Sequence, residues 1–379
     1  MHLVTPPLSG ERFQVIYRIQ GDYEDAMVKA QDACIEQTVE FPSDLLPSGD
    51  IPDHIIGRIT DVSESRNGSH DITISYPVEG AGIDLVQLLN VIFGNTSIKP
   101  GIRVEKLILP PVILNTFRGP RFGRIGLREL LKAPTRPMLC SAIKPMGLTS
   151  EQLAEQAFQF TSGGIDIIKD DHGLADQPFS PFRERVERCA EAVQRANSKN
   201  GSNSIYMPSL GARADQIFEK AHFAKSVGAG GFLVPPGLVG FDTMRALADD
   251  DTLALPIMMH PSMIGSYVTC PTTGFSHYSL FGQLTRLAGA DATIYPNWGG
   301  RFAFSREECI SIAEGSQDDM GQIKPIFPTP GGGMTIDRIP EMLEVYGKDL
   351  IFLMGGGLHR IKPTLVESSA YFRNLVENM

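Results

Sequence analysis

Gly163-Gly-Ile-Asp-Ile-Ile-Lys-Asp-Asp-His172 is the stretch on which the reading of this chain turns. It runs from a glycine pair through three isoleucines and Asp166 into a lysine, two aspartates and a histidine. Short strands that are apolar throughout are buried on both faces, as in a parallel sheet. Segments of this kind recur after Pro137, at 138–145, 164–170, 204–210, 230–235, 253–260, 292–296, 322–328 and 350–354. Helical patterns separate them, among them Ser150–Thr161, Phe182–Ala196 and Ala214–Val227. Eight such units in about 240 residues predict an α/β (β/α)8 TIM barrel. A doubly wound open sheet is the alternative.

Upstream the rhythm differs. Phe13–Gln20, His54–Val62, Asp71–Tyr76 and Val104–Leu109 read as strands, with helices over Tyr23–Gln37 and from Asp84. Asp71-Ile-Thr-Ile-Ser-Tyr76 alternates polar and apolar residues, as a half-buried strand does. The order strand, helix, strand, strand, helix, strand predicts a ferredoxin-like α+β sandwich. The expected division is therefore a ferredoxin-like α+β N-terminal domain over 1–125 and a TIM-barrel catalytic domain over 126–379, joined through the Arg-, Gly- and Pro-rich segment Thr116–Pro137.

Composition narrows the function. Of 379 residues, 42% are apolar and 21% charged, which excludes a disordered chain, a collagen-like fibre and a coiled coil. No apolar run approaches the roughly 18 residues of a membrane-spanning helix. The opening Met1-His-Leu-Val-Thr-Pro-Pro-Leu-Ser-Gly-Glu-Arg-Phe13 lacks the pattern of a secretory signal. With 34 Lys and Arg against 44 Asp and Glu, the net charge of −10 argues against generic nucleic-acid binding. The cysteines Cys34, Cys140, Cys189, Cys270 and Cys309 are dispersed and form no CxxC pair, so reduced thiols and a cytoplasmic location are expected.

The chemistry is expected at the C-terminal ends of the barrel strands. There the sequence places Ser141-Ala-Ile-Lys144, Lys169-Asp-Asp171-His172, Met258-Met-His260 and a polar loop Tyr295-Pro-Asn-Trp-Gly-Gly-Arg301. Two glycine triplets follow the last strands, Gly331-Gly332-Gly333 and Gly355-Gly356-Gly357. Their bare backbone N–H groups suit an anion, and these loops are the usual TIM-barrel phosphate position. Tight turns are the plainer reading of the same glycines. Lys169 and Asp171 fall on one side of their strand and converge on the mouth. A lysine inside a barrel is paired or functional, so Lys144 and Lys169 are candidate bases. His260 is a candidate binding or relay group, and also fits a hydrogen-bonded core histidine. His277 is equally open. Arg301 sits in a loop that reads as a mobile element able to close on an anion.

These motifs together resemble the RuBisCO superfamily over nearly the whole chain. Gly163–His172 is similar to the family's GGxDxxKDDE strand, and Ile143-Lys144-Pro145, Gly147-Leu148, Thr116-Phe-Arg-Gly-Pro-Arg-Phe-Gly123 and Arg286-Leu-Ala-Gly-Ala-Asp291 match further motifs. The resemblance implies a carbamylated Lys169 that holds Mg2+ with Asp171 and the next residue. Here that residue is His172 instead of glutamate, and Mg2+ prefers oxygen ligands. The family's KPKxGL is shortened to Lys144-Pro-Met-Gly-Leu148 and lacks its second lysine. His260 is followed by Pro261 where the family has an arginine, Arg301 takes the register of the loop-6 lysine, and Gly331 that of a serine. Asn90 corresponds to a substrate-binding asparagine and Glu36 to an acidic residue that reaches a neighbouring subunit.

With the lysine and the metal ligands altered, the resemblance implies a form IV RuBisCO-like protein that forms an enolate of a phosphorylated ketose without fixing CO2. The best-fitting reaction is isomerisation of 5-methylthioribulose 1-phosphate by 1,3-proton transfer, as in methionine salvage. Alternatives are enolisation of 2,3-diketo-5-methylthiopentyl 1-phosphate, decarboxylation or hydrolysis of an oxidised branched sugar-acid phosphate, and a non-catalytic regulatory or stress role. A homodimer with active sites shared between chains is the assembly implied.

Overall fold

The computed structural model describes residues 8–66, 68–302 and 304–379. Residues 1–7, part of the segment read for a secretory signal, lie outside the described residues. The chain forms two compact units. One comprises Met1–Arg118, Ile264–Leu284 and Asp319–Ile323; the other comprises Gly119–Met263, Thr285–Asp318 and Lys324–Met379. The first unit thus draws two segments from late in the sequence, which a single division after residue 125 does not convey.

In the first unit, strands β1 (Arg12–Gln20), β2 (Arg58–Glu64), β3 (Ser69–Pro77) and β4 (Ile102–Ile108) pair antiparallel in the order β4-β1-β3-β2. Helices Tyr23–Glu36 and Leu85–Phe93 connect β1 to β2 and β3 to β4. This is the ferredoxin-like order. Period-2 alternation buries Phe13, Val15, Tyr17 and Ile19 on one face of β1, facing the same way as Ile72 and Ile74 of β3. A short strand β10 (Gly274–Phe275) adds parallel to β4. The strand expected from His54 begins at Arg58, because Ile51–Ile55 coils into a single helical turn with Pro52 near its start.

The second unit is the barrel. Its strands are β5 (Met138–Ile143), β6 (Ile167–Asp170), β7 (Ile205–Met207), β8 (Phe232–Val234), β9 (Ile257–Met259), β11 (Ala292–Pro296), β12 (Phe327–Gly331) and β13 (Ile351–Leu353). They pair parallel as β13-β5-β6-β7 and β8-β9-β11-β12. Leu233 N–H donates to Pro208 O and Leu210 N–H to Leu233 O, both at 2.9 Å, which stitches β7 to β8. At the opposite seam no ladder joins β12 to β13. Phe327 N–H donates to Asp291 O beside β11, so positions 328 and 330 fall on the side of β13, and both are proline. Without an N–H they cannot donate across the seam. β12 extends to Gly331, beyond the expected 322–328, because its pairing with β11 on the other side continues to Pro296 and Gly331.

The helices start where the sequence caps them. Thr149 and Gln152 form a capping box before helix Ser150–Ser162, as do Ser305 and Glu308 before Arg306–Gly315. Met138, Cys140, Ile167, Met207, Leu233, Met258, Ile294, Phe327 and Ile351 fill the barrel interior. Among the described residues no helix is long and apolar enough to cross a membrane.

Candidate active site at the barrel mouth

Alternation along each strand dictates what lies above the apolar core. On β5, Met138 and Cys140 face inward, and the same face continues through Ala142 to Lys144. On β6, Ile167 is followed by Lys169 and then Asp171, and on β9 Met258 is followed by His260. The apolar layers therefore end in a ring of ionisable groups.

The structure brings four of the expected residues into direct contact. Lys144 Nζ lies 2.8 Å from Asp171 Oδ2, and His172 Nδ1 lies 3.2 Å from Asp171 Oδ1. The His172 and His260 rings stack with centroids 4.7 Å apart and an angle of 10° between planes. Burial pushes the Asp171 carboxyl up, but hydrogen bonds from His172 and Lys144 and from Gly173 N–H outweigh it and hold the group well below the ordinary range. Lys169, only 4% exposed, donates to Asp170 O at 3.1 Å. Desolvation lowers its pKa, which favours the neutral amine. Asp170 faces the other way and serves the fold.

His260 is held by its own loop: Nδ1 lies 2.8 Å from Ser262 Oγ and 3.2 Å from Ser262 N. The backbone N–H can only donate, so Nδ1 accepts and Nε2 carries the proton of the neutral ring. Burial, with Lys169 and His172 nearby, drives its pKa down to about 2. The unfolded chain binds a proton below about pH 6.5 that the folded site refuses, so this residue lowers stability as pH falls from there toward 2. His260→Gln should flatten the acid limb of a urea-midpoint series by up to about 1.4 kcal/mol per pH unit. An unchanged acid limb would contradict the assignment.

The glycine triplets do different things. Gly332 and Gly333 have φ of +84° and +99°, a backbone that favours glycine. A Cβ on Gly355 would sit 3.5 Å from Lys144 Nζ, and one on Gly357 would meet Met334 O at 2.8 Å. A Cβ on Gly356 meets nothing within 4 Å. Among the described residues, no protein group accepts from the N–H of Gly332, Gly333, Gly355 or Gly356, so these donors are available to an anion. Gly356→Ala should fold as the parent and raise KM for a phosphate ester, whereas Gly332→Ala should also lose stability. Equal KM values for parent and Gly356→Ala would remove that loop from the binding site.

Arg301 differs from expectation. Its N–H donates to Gly332 O at 3.0 Å, and Asn297 N–H donates to Gly331 O at 2.9 Å, so the loop lies on the first triplet instead of standing free. Asn90 belongs to the first unit, in helix Leu85–Phe93, where its carbonyl accepts from Gln37 Nε2 at 2.8 Å. His277 is also in the first unit, buried and stacked on Phe281.

The side chains as arranged do not fit Mg2+. Both Asp171 oxygens already face protein donors, with Gly173 N–H at 3.1 Å from Oδ1 in addition to His172. His172 offers nitrogen, and Lys169 is an N–H donor. Among the described residues no group of three metal-binding side chains assembles. The Lys144 ammonium supplies the cation that Asp171 faces.

Sequence reasoning missed Gln156. Its side chain accepts from Lys144 N–H at 3.0 Å and donates to Lys144 O at 2.7 Å, fixing the backbone beneath the ion pair. No spacing rule flags a helix residue twelve positions away. Met146, 52% exposed, lies in the shortened motif after Lys144-Pro145, and its methyl group packs against Gly173 beside Asp171.

The model of the ribulose bisphosphate carboxylase large chain, catalytic domain, matches residues 124–362. The chain belongs to this family. It is 35% identical over 363 residues, 96% of its length and 95% of the relative's, to a protein named 5-methylthioribulose-1-phosphate isomerase from Rhodospirillum rubrum. It is 32% identical to a 2,3-diketo-5-methylthiopentyl-1-phosphate enolase from Bacillus licheniformis, covering 88% of this chain and 84% of that one. The crystal structure of a Rubisco-like protein from Rhodopseudomonas palustris superposes with a TM-score of 0.87 at 36% identity, covering 99% of both chains. The RuBisCO-like barrel thus has its ionisable ring at the face where the fold carries chemistry.

Proposed function

We propose that this RuBisCO-like protein is an enolising isomerase of a phosphorylated ketose, with 5-methylthioribulose 1-phosphate as substrate. The observation that carries the reading is the convergence of Lys144, Asp171, His172 and His260 over a desolvated Lys169, beside two loops with unpaired N–H groups. The similarity to the R. rubrum isomerase across nearly the full length supports the choice of substrate.

The chemistry follows from the groups. The neutral Lys169 amine removes the carbon-bound proton next to the substrate carbonyl. The Lys144 ammonium, oriented by Asp171, stabilises the enolate oxygen that develops. The protonated lysine returns the proton to the former carbonyl carbon while the adjacent enediol hydroxyl gives up its own proton, which moves the carbonyl one carbon along; a second transfer of the same kind moves it to the next carbon, and no CO2 is added. His260 Nε2–H donates to a substrate oxygen. The free N–H groups of Gly332, Gly333, Gly355 and Gly356 hold the phosphate, with Gly331, Gly357 and Arg301 shaping that cradle, and the Met146 thioether offers apolar surface to the methylthio end.

A second reading, enolisation of the diketone phosphate, shares the first step and is favoured by the similarity to the Bacillus enolase. Proton NMR with 5-methylthioribulose 1-phosphate in D2O separates them. Conversion to a 1-methylthio-pentulose 5-phosphate establishes the isomerase. Proton exchange without conversion points to the diketone or, with CO2 release, to a sugar-acid phosphate, and no exchange with any of these substrates leaves only a non-catalytic role. Turnover is expected without added Mg2+ and bicarbonate; dependence on both would show a carbamylated Lys169 that binds Mg2+ with Asp171 and His172.

We also place the working enzyme in the cytoplasm as a homodimer, with Asn90 serving the neighbouring chain's site. The RuBisCO resemblance supports the dimer, and the five cysteines without disulfides support the compartment. A variant that remains monomeric should keep its fold and lose turnover; an active monomer would refute the shared site.

A further inference from the structure

The loop bearing Arg301 is fastened at its base by groups that the isomerase reading does not use. Trp298, 8% exposed, donates from Nε1 to Glu341 Oε1 at 2.9 Å. The Arg338 guanidinium lies 5.4 Å and the Arg306 guanidinium 6.0 Å from the centre of its ring, and the Tyr346 ring is 5.5 Å away. Arg338 also donates to Trp298 O and to Glu341 Oε2. One residue earlier, Asn297 Oδ1 accepts from Tyr346 OH at 2.7 Å. The loop is thereby tied to the segment Arg338–Tyr346 by the indole, the Arg338 guanidinium and three side-chain hydrogen bonds, with Arg306 of the helix Arg306–Gly315 adding a second guanidinium near the ring.

The strap ends on the first glycine triplet. Beyond Trp298, a Cβ on Gly300 would lie 2.3 Å from Gly332 O, and one on Gly333 3.1 Å from Arg301 Cγ. The close approach of the two loops is what these positions permit without side chains. A mobile lid would need to break all of these contacts at each turnover.

We infer that Trp298, clamped by Glu341 and Arg338, is a positioning residue that pre-forms the anion cradle, holding the Asn297–Arg301 loop on Gly331–Gly333 before substrate arrives. This rests on the phosphate reading of those glycines. Trp298 acts through the loop and touches no reacting atom. Its value is that the loop is not ordered anew on each binding event, so the cost of fixing it is not taken from substrate affinity.

Trp298 is the chain's single tryptophan, so its fluorescence reports this loop alone. In acrylamide quenching of the full-length protein, the ligand-free indole should already be shielded, and inorganic phosphate should leave its accessibility unchanged. Glu341→Ala should expose the indole to quencher and weaken phosphate binding by calorimetry about tenfold or more, with kcat little changed. Trp298→Phe, which keeps the ring between the guanidinium groups, should recover much of the affinity lost in Trp298→Ala. An indole that is freely quenched until phosphate is added would overturn the inference, as would a Glu341→Ala protein that exposes the indole yet binds phosphate like the parent. If the parent binds no phosphate while its indole is shielded, the phosphate reading fails and the strap stands as a structural feature only.

Discussion

Lys169→Met should give a barrel with a thermal midpoint equal to or above the parent's and no proton exchange with the ketose phosphate. The two halves of that result have one cause. Lys169 sits above Cys140, Ile167 and Met207, with the Asp170 carbonyl as the partner of its nitrogen. A buried amine held by a single hydrogen bond costs stability that an unbranched apolar side chain of similar volume would restore. The same desolvation lowers the lysine pKa and favours the neutral amine that can act as a base. Loss of a positioned base typically slows proton transfer about 10²–10⁴-fold, which NMR exchange rates would resolve. The acid limb of the parent's pH–rate profile should lie below the ordinary lysine pKa, since the amine must be neutral to act. A Met variant that is less stable than the parent, or that retains exchange within a few-fold, would refute this account of Lys169.

The neighbouring residue predicts the opposite phenotype. Asp170 and Arg185 form a fully buried pair at 3.2 Å on the outer side of β6. Tyr206 OH donates to Asp170 Oδ1 at 2.6 Å and Ser209 N–H to Oδ2 at 3.0 Å, while Arg185 also reaches Ser180 O and Ala175 O. Asp170→Ala would leave a fully buried guanidinium without its counter-charge and should cost about 3–5 kcal/mol. Arg185→Met in the same chain should recover part of that loss, because the double variant leaves no buried charge unpaired. Urea midpoints of the two single variants and the double one test this. Additive losses would show that the two side chains do not act as a pair.

Lys169, Asp170 and Asp171 thus divide sharply although they are consecutive. Strand periodicity made that division legible, since alternate residues must face opposite sides. The eight barrel strands were legible for a similar reason: each is a short apolar run between helical patterns. The end of β12 was not, because Pro328 and Pro330 read as strand breakers when they in fact face the seam with β13, where no ladder forms. The start of β2 was hidden by a helical turn that shares its apolar composition. At the site, the strand-end residues were found because their chemistry is conspicuous in an apolar run. Gln156, Glu341 and Arg338 were not, because they act from helices through contacts that no local spacing encodes. The strap on the Arg301 loop shows the same gap: a polar, glycine-rich segment reads as mobile until the partners of Trp298 are known.

Two of the stretches that carry the family resemblance, Gly119–Gly123 and Arg286–Asp291, sit at the opposite end of the barrel from the chemistry. Asp291 precedes β11 and accepts from Phe122 and Gly123 N–H, each at 2.7 Å, and from Ile257 N–H at 2.9 Å. Arg286, fully buried, reaches the carbonyls of Gly315, Asp318 and Lys324. Asp291 is a buckle: it fastens the segment entering the barrel to strands that come more than a hundred residues later, while Arg286 ties the approach to β11 to the chain ahead of β12. A buckle of this kind is indifferent to the reaction performed at the far rim. Lineages can therefore exchange one chemistry for another by editing strand ends and loops while the fastening stays as it was, and a search guided by the fastening will gather carboxylases and isomerases alike. Sorting them requires reading the rim, where His172, Met146 and Arg301 stand in this chain.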